Sequence, residues 1–362
     1  MQYEDRLSWQ ARGLRYYAYF VVLATVALIF LGGQVKSHEA GLAVPDWPLT
    51  YNQNPITYPI SEWRGGIFHE HFHRLWAGGV GLLTIGLAVW LAFGERRTWL
   101  KLMGGIAVAT VCLQGLLGGL TVIYKLPVAI SSAHGILAQT FLLVLFFIAY
   151  GLSRERRSRE AAVRSTGPER ALGLVVPGIT LVALVYGQLF LGAVMRHTES
   201  GLAVPDFPTM AGQWVPSVGE DARYWVNDWR LQHTLETGTD LPPVSSTQML
   251  LHLAHRFGAV VVTGGVVWLL VAAWRRRTAS PRAWHAALLI GGVTTIQVTL
   301  GILTVMTAKT PLITSFHVVT GAALLTCAFL FCLRAWPIQA VAAQPAAPSE
   351  SAVAPGAEAA TS

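Results

Sequence analysis

The segment Glu39-Ala-Gly-Leu-Ala-Val-Pro-Asp-Trp-Pro48 recurs as Glu199-Ser-Gly-Leu-Ala-Val-Pro-Asp-Phe-Pro208. The tripeptide Phe-Leu-Gly that precedes it is repeated at the same offset, starting at Phe30 and at Phe190. A duplicated stretch of this length indicates that the chain consists of two related halves.

Two histidine motifs are duplicated as well. The pair His73-Arg74 returns as His255-Arg256, and the lone histidine His134 returns as His317. The separation of the two histidines along the chain is nearly the same in both halves, and the second differs from the first by a single position. Each half therefore carries two histidines at almost equal spacing.

The composition indicates a membrane protein. Of the 362 residues, 53% are hydrophobic and only 12% are charged, which is not the composition of a soluble globular chain. Eight apolar runs are long enough to cross the roughly 30 Å hydrocarbon core as helices. They lie approximately at 15–35, 68–93, 98–123, 128–152, 171–195, 248–274, 282–307 and 311–335.

The basic residues indicate the orientation of these runs. With a cytoplasmic N-terminus, 17 of the 26 lysines and arginines lie on the inner side. We therefore expect a protein of the cell (inner) membrane with both termini in the cytoplasm. The net charge of +7 is scattered over four inner segments, which argues against a nucleic-acid-binding face.

A basic linker at 153–170 divides the chain into an N-terminal half, 1–152, and a C-terminal half, 171–336. Each half has four predicted helices, so the second half enters the membrane in the same orientation and the repeat is parallel. We predict an all-α integral membrane fold of eight transmembrane helices, arranged as two pseudo-symmetric four-helix bundles. The tail, 337–362, has little to bury and is predicted to be disordered and cytoplasmic.

Predicted helices 3, 5 and 7 share the motif Gln-x3-Gly, at Gln114/Gly118, Gln188/Gly192 and Gln297/Gly301. Small residues at helical spacing favour close approach of membrane helices. The alternative interpretation is that these residues line a cofactor pocket.

The duplicated histidines fall near the outer ends of the even-numbered helices. Ionisable groups are costly inside a span and usually mark function. Two facing imidazoles per four-helix bundle are typical of a bis-histidine heme site, so the sequence predicts two hemes near the outer face. Zinc is the competing metal, but it normally needs three or four close ligands, and only the first half offers them, through His69, Glu70 and His71 beside His73.

An arginine directly follows the first histidine of each half, Arg74 and Arg256. An arginine at the mouth of a heme pocket is well suited to pair with propionates. The simpler interpretation is a positive charge at the membrane interface.

The halves differ in the turn before this histidine. The first reads Glu70-His-Phe-His73, whereas the second reads His252-Leu-Ala-His255 and has no carboxylate. Glu70 shares a helix face with His73, where a carboxylate can move protons or stabilise developing positive charge. We therefore predict that Glu70 is catalytic, that the first half holds the substrate heme, and that the second holds a permanent electron-transfer heme. A surface anchor is the plainer interpretation of Glu70.

Together these residues resemble the heme A synthase family, over roughly residues 15–335. That family has eight helices in two similar four-helix bundles, four heme-ligand histidines and a Glu-x-x-His-Arg motif, matched here by Glu70 to Arg74. The further matches are His134, His255-Arg256, His317 and the loop elements at 41–47 and 201–207. Many bacterial members carry a cysteine pair in an outer loop, whereas the three cysteines of this chain lie in apolar runs.

The resemblance implies oxidation of the C8 methyl group of heme O to the formyl group of heme A, by successive hydroxylations and loss of water. His73 and His134 would then bind the iron of the substrate heme O, and His255 and His317 that of a heme b cofactor. The expected partners are the farnesyltransferase that makes heme O, an electron-transfer protein and membrane lipid, with no nucleic acid. A homo-oligomer is compatible with the sequence, which does not determine the oligomeric state.

Two other classes of protein remain open. A di-heme b-type electron carrier, such as a quinol-linked membrane cytochrome, would also use paired histidines, although such carriers usually stack their hemes across the bilayer. A transporter or heme-handling chaperone with a four-plus-four repeat would need broken helices near the middle of the membrane.

Overall fold

The computed structural model describes residues 2–166, 173–214, 217–238 and 240–338. Over these residues the protein is helical, with two isolated β-bridges in the loops and no strand. The helices are α1 (Gln2–Ser37), α2 (Gly66–Gly94), α3 (Thr98–Ile123), α4 (Val128–Gly151), α5 (Arg154–Thr166), α6 (Val175–His197), α7 (Glu220–Thr237), α8 (Ser246–Trp274), α9 (Pro281–Met306) and α10 (Pro311–Ala335).

Eight of these helices are long and apolar enough to span a membrane: α1 from Ala11 onward, α2, α3, α4, α6, α8, α9 and α10. The shortest of them, α6, has 23 residues, which corresponds to about 35 Å of helix. A helix satisfies its backbone polar groups internally, and for this reason an apolar run becomes helical in lipid. The prediction of eight apolar spans is confirmed, and they indicate an integral membrane protein.

The membrane helices pack in two rings. In the first ring, α1 and α3 each contact α2 and α4; in the second ring, α6 and α9 each contact α8 and α10. Each ring has its own core of buried leucine, valine and alanine side chains. The rings meet where α1 contacts α10 and where α4 contacts α6. Consequently α2 and α4 occupy opposite corners of the first ring, and α8 and α10 opposite corners of the second.

The basic linker contains a helix, α5, that the sequence did not predict. Glu155 pairs with Arg334 of α10 at 2.7 Å, and the buried Arg159 donates to the carbonyls of Leu333 and Trp336 at 2.8 Å each. The last carbonyls of a helix lack helical donors, so Arg159 satisfies the C-terminal end of α10. These contacts hold α5 against the membrane helices. Linker residues 167–170 and the next two residues, 171–172, lie outside the described residues, as do residues 339–362 of the predicted disordered tail.

The second outer loop contains another helix without a hydropathy signal, α7. Its buried residues Ala222, Val226 and Arg230 are spaced four apart and lie on one face. Two of them form a small core with Ala203 of the repeated segment and Met249 of α8. The polar helix α7 is therefore stabilised by packing against the loop.

Candidate functional site

Each of the four duplicated histidines packs against a glycine of the preceding membrane helix. A β-carbon at Gly32 of α1 would lie 3.1 Å from Cε1 of His73 on α2. The other three contacts would be equally tight, at 2.9–3.1 Å: Gly118 with His134, Gly192 with His255, and Gly301 with His317. A side chain at any of these glycines would have to displace an imidazole ring.

Glutamines of the Gln-x3-Gly motif hold two of these histidines. The side-chain amide of Gln114 donates to the backbone carbonyl of His134 at 3.0 Å, and that of Gln188 donates to the carbonyl of His255 at 2.8 Å. The amide nitrogen of Gln188 also lies 3.1 Å from Nδ1 of His255. The glycine permits the close approach that the packing interpretation predicts, and the glutamine contacts the histidine. The alternative, that these residues line a cofactor pocket, stays a prediction.

The other two histidines, His317 and His73, have different neighbours at this position. Nδ1 of His317 lies 3.2 Å from the backbone carbonyl of Gln297. At His73 the position one turn before the glycine is Leu28, an apolar residue of the first core. His73 is thus the one member of the four that lacks a glutamine at this position.

The rings bring the histidines together in two pairs. His73 lies within electrostatic reach of His134 across the first ring, and His255 within reach of His317 across the second. All four are half-buried and lie near the N-terminal ends of their helices. Nδ1 of His73 and Nδ1 of His134 are buried without a hydrogen-bond partner in the described part of the chain. A buried polar atom of this kind calls for a partner from outside the protein.

No zinc-type ligand set accompanies these pairs. Within the described residues, no group of three or more histidine, cysteine, aspartate or glutamate side chains could hold a metal ion. The zinc alternative therefore lacks its ligands there.

Glu70 is buried, with 3% of its surface exposed, and both of its oxygens have partners. Oε2 accepts from the backbone nitrogen of Val44 at 2.8 Å, and Oε1 pairs with Arg74 one turn later. Arg74 also donates to the carbonyls of Val44 at 2.7 Å and of Asp46 at 2.6 Å. Helix α2 thereby anchors the first copy of the repeated segment.

His252 takes the place of Glu70 in the second copy. Its Nδ1 accepts from the backbone nitrogen of Val204 at 3.1 Å. Arg256 donates to the carbonyl of Val204 at 2.7 Å and to that of Thr209 at 3.3 Å. Val204 occupies the same place in the second copy of the repeated segment as Val44 in the first. The two loop anchors are therefore built alike, with a carboxylate in one and an imidazole in the other.

An aspartate closes the turn in each copy of the repeated segment. Asp46 accepts from the backbone nitrogens of Tyr51 and Asn52 at 2.8 Å each, and Asp206 accepts from two backbone nitrogens in the same way. Burial alone would raise the pKa of Asp46, but the two amides outweigh it and hold the pKa below its ordinary value. The carboxylate is therefore ionised when it closes the turn.

Two further polar residues near the site make contacts that the sequence analysis did not predict. Arg196 at the end of α6 donates to the carbonyl of Gly33 at 2.7 Å and to Oγ of Ser37 at 2.8 Å, which ties the second ring to α1. His71 is fully buried and lies 3.1 Å from Oγ1 of Thr50 in the first loop. The sequence does contain a signal for Arg196, because an arginine in an apolar run usually marks function. It does not reveal the partners of Arg196, because these lie in α1, in the other half of the chain.

Eight apolar helices in two contacting rings, with paired histidines at one end, define a helical integral membrane protein with internal imidazole sites. Two loops of common design cover that end of the helices. The chain belongs to the COX15-CtaA family of cytochrome oxidase assembly proteins, whose sequence model matches residues 15–329.

The chain is also similar to several proteins named heme A synthase. It is 27% identical to that of Shewanella oneidensis over 314 residues, which cover 82% of this chain and 87% of the relative. The heme A synthase of Sphingopyxis alaskensis is 27% identical over 333 residues, 84% and 86% of the two chains. That of Halalkalibacterium halodurans is 28% identical over 211 residues, 57% and 66%. The family resemblance seen in the sequence is confirmed.

The Gly192→Ala substitution is expected to destabilise the protein. The new β-carbon would lie 2.9 Å from Cε1 of His255, an overpacking that typically costs about 1–3 kcal/mol. The measurement is the thermal unfolding midpoint in detergent. The matched control is Gly187→Ala on the same helix, where no atom lies within 4 Å of the added carbon. Equal midpoints for the two variants would contradict the contact.

Proposed function

We propose that the protein is a heme A synthase, an enzyme that oxidises the C8 methyl group of heme O to the formyl group of heme A. The observation that carries the proposal is the pair of half-buried histidines across each ring, in a chain whose relatives bear this name. Successive hydroxylations of the methyl carbon followed by loss of water give the aldehyde. This oxidation removes four electrons from the methyl carbon in total, and the heme iron, when present, would pass them to the expected electron-transfer partner.

The first ring is the proposed substrate site, with His73 and His134 as ligands of the heme O iron. Their buried nitrogens without partners fit a group that the protein receives from outside. Leu28 in place of a glutamine leaves His73 without the amide contact made to His255. A less constrained ligand suits a site whose occupant enters and leaves.

The second ring is the proposed site of a permanent heme b, held by His255 and His317. Gln188 contacts both the backbone and the ring of His255, and the carbonyl of Gln297 lies beside Nδ1 of His317. These contacts fix the positions of both imidazoles, and the carbonyl of Gln297 can accept from Nδ1–H of His317, which leaves Nε2 of that ring free to bind iron. They support a heme that stays in place.

Glu70 is the proposed proton-transfer residue. Its Oε2 accepts from the amide of Val44, and its Oε1 pairs with Arg74, so a proton taken up at Oε1 would replace the ion pair while the hydrogen bond from Val44 still holds the loop. The second anchor has His252 there and keeps the same architecture. The carboxylate is thus not required for the loop geometry alone, which supports a chemical role.

The pairing of Arg74 and Arg256 with heme propionates stays a prediction. Both guanidinium groups donate to loop carbonyls, which supports a role in holding the loops over the histidine sites. We also propose a cell-membrane protein with cytoplasmic termini, histidine sites toward the outer face, and two rings related as a parallel repeat. The basic inner segments and the duplicated anchors support this arrangement.

The proposed reaction predicts that membranes containing this protein and a source of heme O accumulate heme A or its hydroxylated intermediate. The measurement is chromatography with mass spectrometry of the extracted hemes. Heme b alone, with heme O unchanged in a well-folded preparation, would contradict the proposal and favour a di-heme electron carrier.

Glu70→Gln is expected to keep both hemes bound while heme A formation falls about 10²–10⁴-fold, the usual contribution of a general acid or base. The glutamine oxygen can still accept from Val44, so the loop anchor is preserved. The assay compares heme A yield per bound heme with that of the matched variant His252→Gln, which should remain near the wild-type level. A normal yield from Glu70→Gln would remove Glu70 from the mechanism.

His255→Ala is expected to abolish the permanent heme b. Loss of one of two iron ligands leaves the iron with an incomplete set. Heme b content per purified protein, measured from the reduced pyridine hemochrome spectrum, checks this outcome. His233→Ala is the control, because His233 stacks on Trp229 in the outer loop, away from the pairs. Full retention of heme b by His255→Ala would overturn the assignment.

A further inference from the structure

A cavity of about 370 Å³ lies at the opposite end of the helices from the histidine pairs. It lies between the start of α1 and the junction of α4 with α5. Arg15, Tyr16 and Tyr19 line it from α1, Tyr150 from α4, and Arg154 and Glu155 from α5. The proposed heme chemistry makes no use of this end of the molecule.

Arg15 is the unusual member of this lining. Only 5% of its surface is exposed, yet its guanidinium group donates no hydrogen bond to any of the described residues. Its one described contact is with the ring of Tyr16, at 5.2 Å from the centroid. Its guanidinium nitrogens reach the cavity, where an anion can bind them.

The charge of the cavity is positive even though Glu155 belongs to its lining. Both carboxylate oxygens of Glu155 are engaged by Arg334, at 3.0 and 2.7 Å. Arg154 is exposed and forms no ion pair with the described part of the chain. Arg15 and Arg154 therefore give the cavity a positive charge, and both lie within electrostatic reach of the hydroxyl group of Tyr19.

The position of the cavity indicates the source of the anion. It lies where the apolar part of α1 begins and that of α4 ends, which is the level of lipid headgroups. Tyr16 and Tyr19 are 59% and 36% exposed at this level, as is typical of aromatic residues at a membrane interface. Guanidinium groups match phosphate oxygens in geometry and charge.

We propose that this cavity binds the phosphodiester headgroup of an anionic membrane lipid, with Arg15 and Arg154 as the phosphate-binding residues. The hydroxyl group of Tyr19 lies at the same cavity, whereas that of Tyr150 already accepts from Arg159 at 3.0 Å. The site is independent of the histidine pairs and does not rest on the proposed reaction. A lipid held here would bridge α1 and the α4–α5 junction.

The test is native mass spectrometry of the full chain in detergent, titrated with dioleoylphosphatidylglycerol, with dioleoylphosphatidylcholine and with inorganic phosphate. We expect phosphatidylglycerol to bind in preference to phosphatidylcholine. We expect Arg15→Gln to weaken its binding about ten-fold, the loss typical of one charge-assisted hydrogen bond. Arg154→Gln should weaken it as well, and it changes an exposed side chain that folding does not require.

Arg276→Gln is the matched control, because Arg276 is an exposed arginine of the α8–α9 connection, outside the cavity. Equal phosphatidylglycerol binding by the control and by both cavity variants would overturn the proposal. Inorganic phosphate that binds in the Arg15-dependent manner and displaces the lipid would also overturn it, since the cavity would then be a site for free phosphate.

Discussion

Four histidine side chains pack directly against glycines of the neighbouring helices, and the arrangement of both helix rings depends on these contacts. Between helices in lipid the hydrophobic effect offers little attraction, so association relies on close packing and hydrogen bonds. Gly32 and Gly192 permit that packing because a β-carbon at either would meet a histidine at 3.1 and 2.9 Å. The same contacts set the position of each histidine and bring α1 against α2 and α6 against α8.

The two outer loops show how a duplicated architecture can carry different chemistry. In each, a residue one turn before the histidine accepts from a valine amide, and an arginine one turn later donates to the carbonyl of the same valine. Glu70 and His252 are exchangeable in this geometric role. They differ in charge, because the first anchor is an ion pair with Arg74, whereas the second is an imidazole beside a cation. A buried ion pair is weak evidence for stability alone, which favours a functional reason for the carboxylate.

Arginines perform different tasks at the two ends of the molecule. At the histidine end, Arg196 connects the rings through the carbonyl of Gly33, next to the glycine that contacts His73. At the other end, Arg159 satisfies the last carbonyls of α10, and Arg15 lines the cavity beside Tyr16. Since a buried guanidinium group is tolerated only with partners, the carbonyls that accept from Arg159 explain its position, whereas Arg15 faces an open cavity.

The sequence by itself determined the eight spans, the duplicated segment and the four histidines, because span length and internal repetition are properties of the chain that need no third dimension. It could not place the amide of Gln188 on His255, the amide of Val44 on Glu70, or the helices α5 and α7. The first of these contacts depends on how neighbouring helices rotate about their axes. The second depends on a loop that folds back onto α2. The polar helices α5 and α7 are stabilised by packing against α10 and against the second loop, respectively. All of these features depend on contacts between distant parts of the chain, so only the tertiary structure decided them.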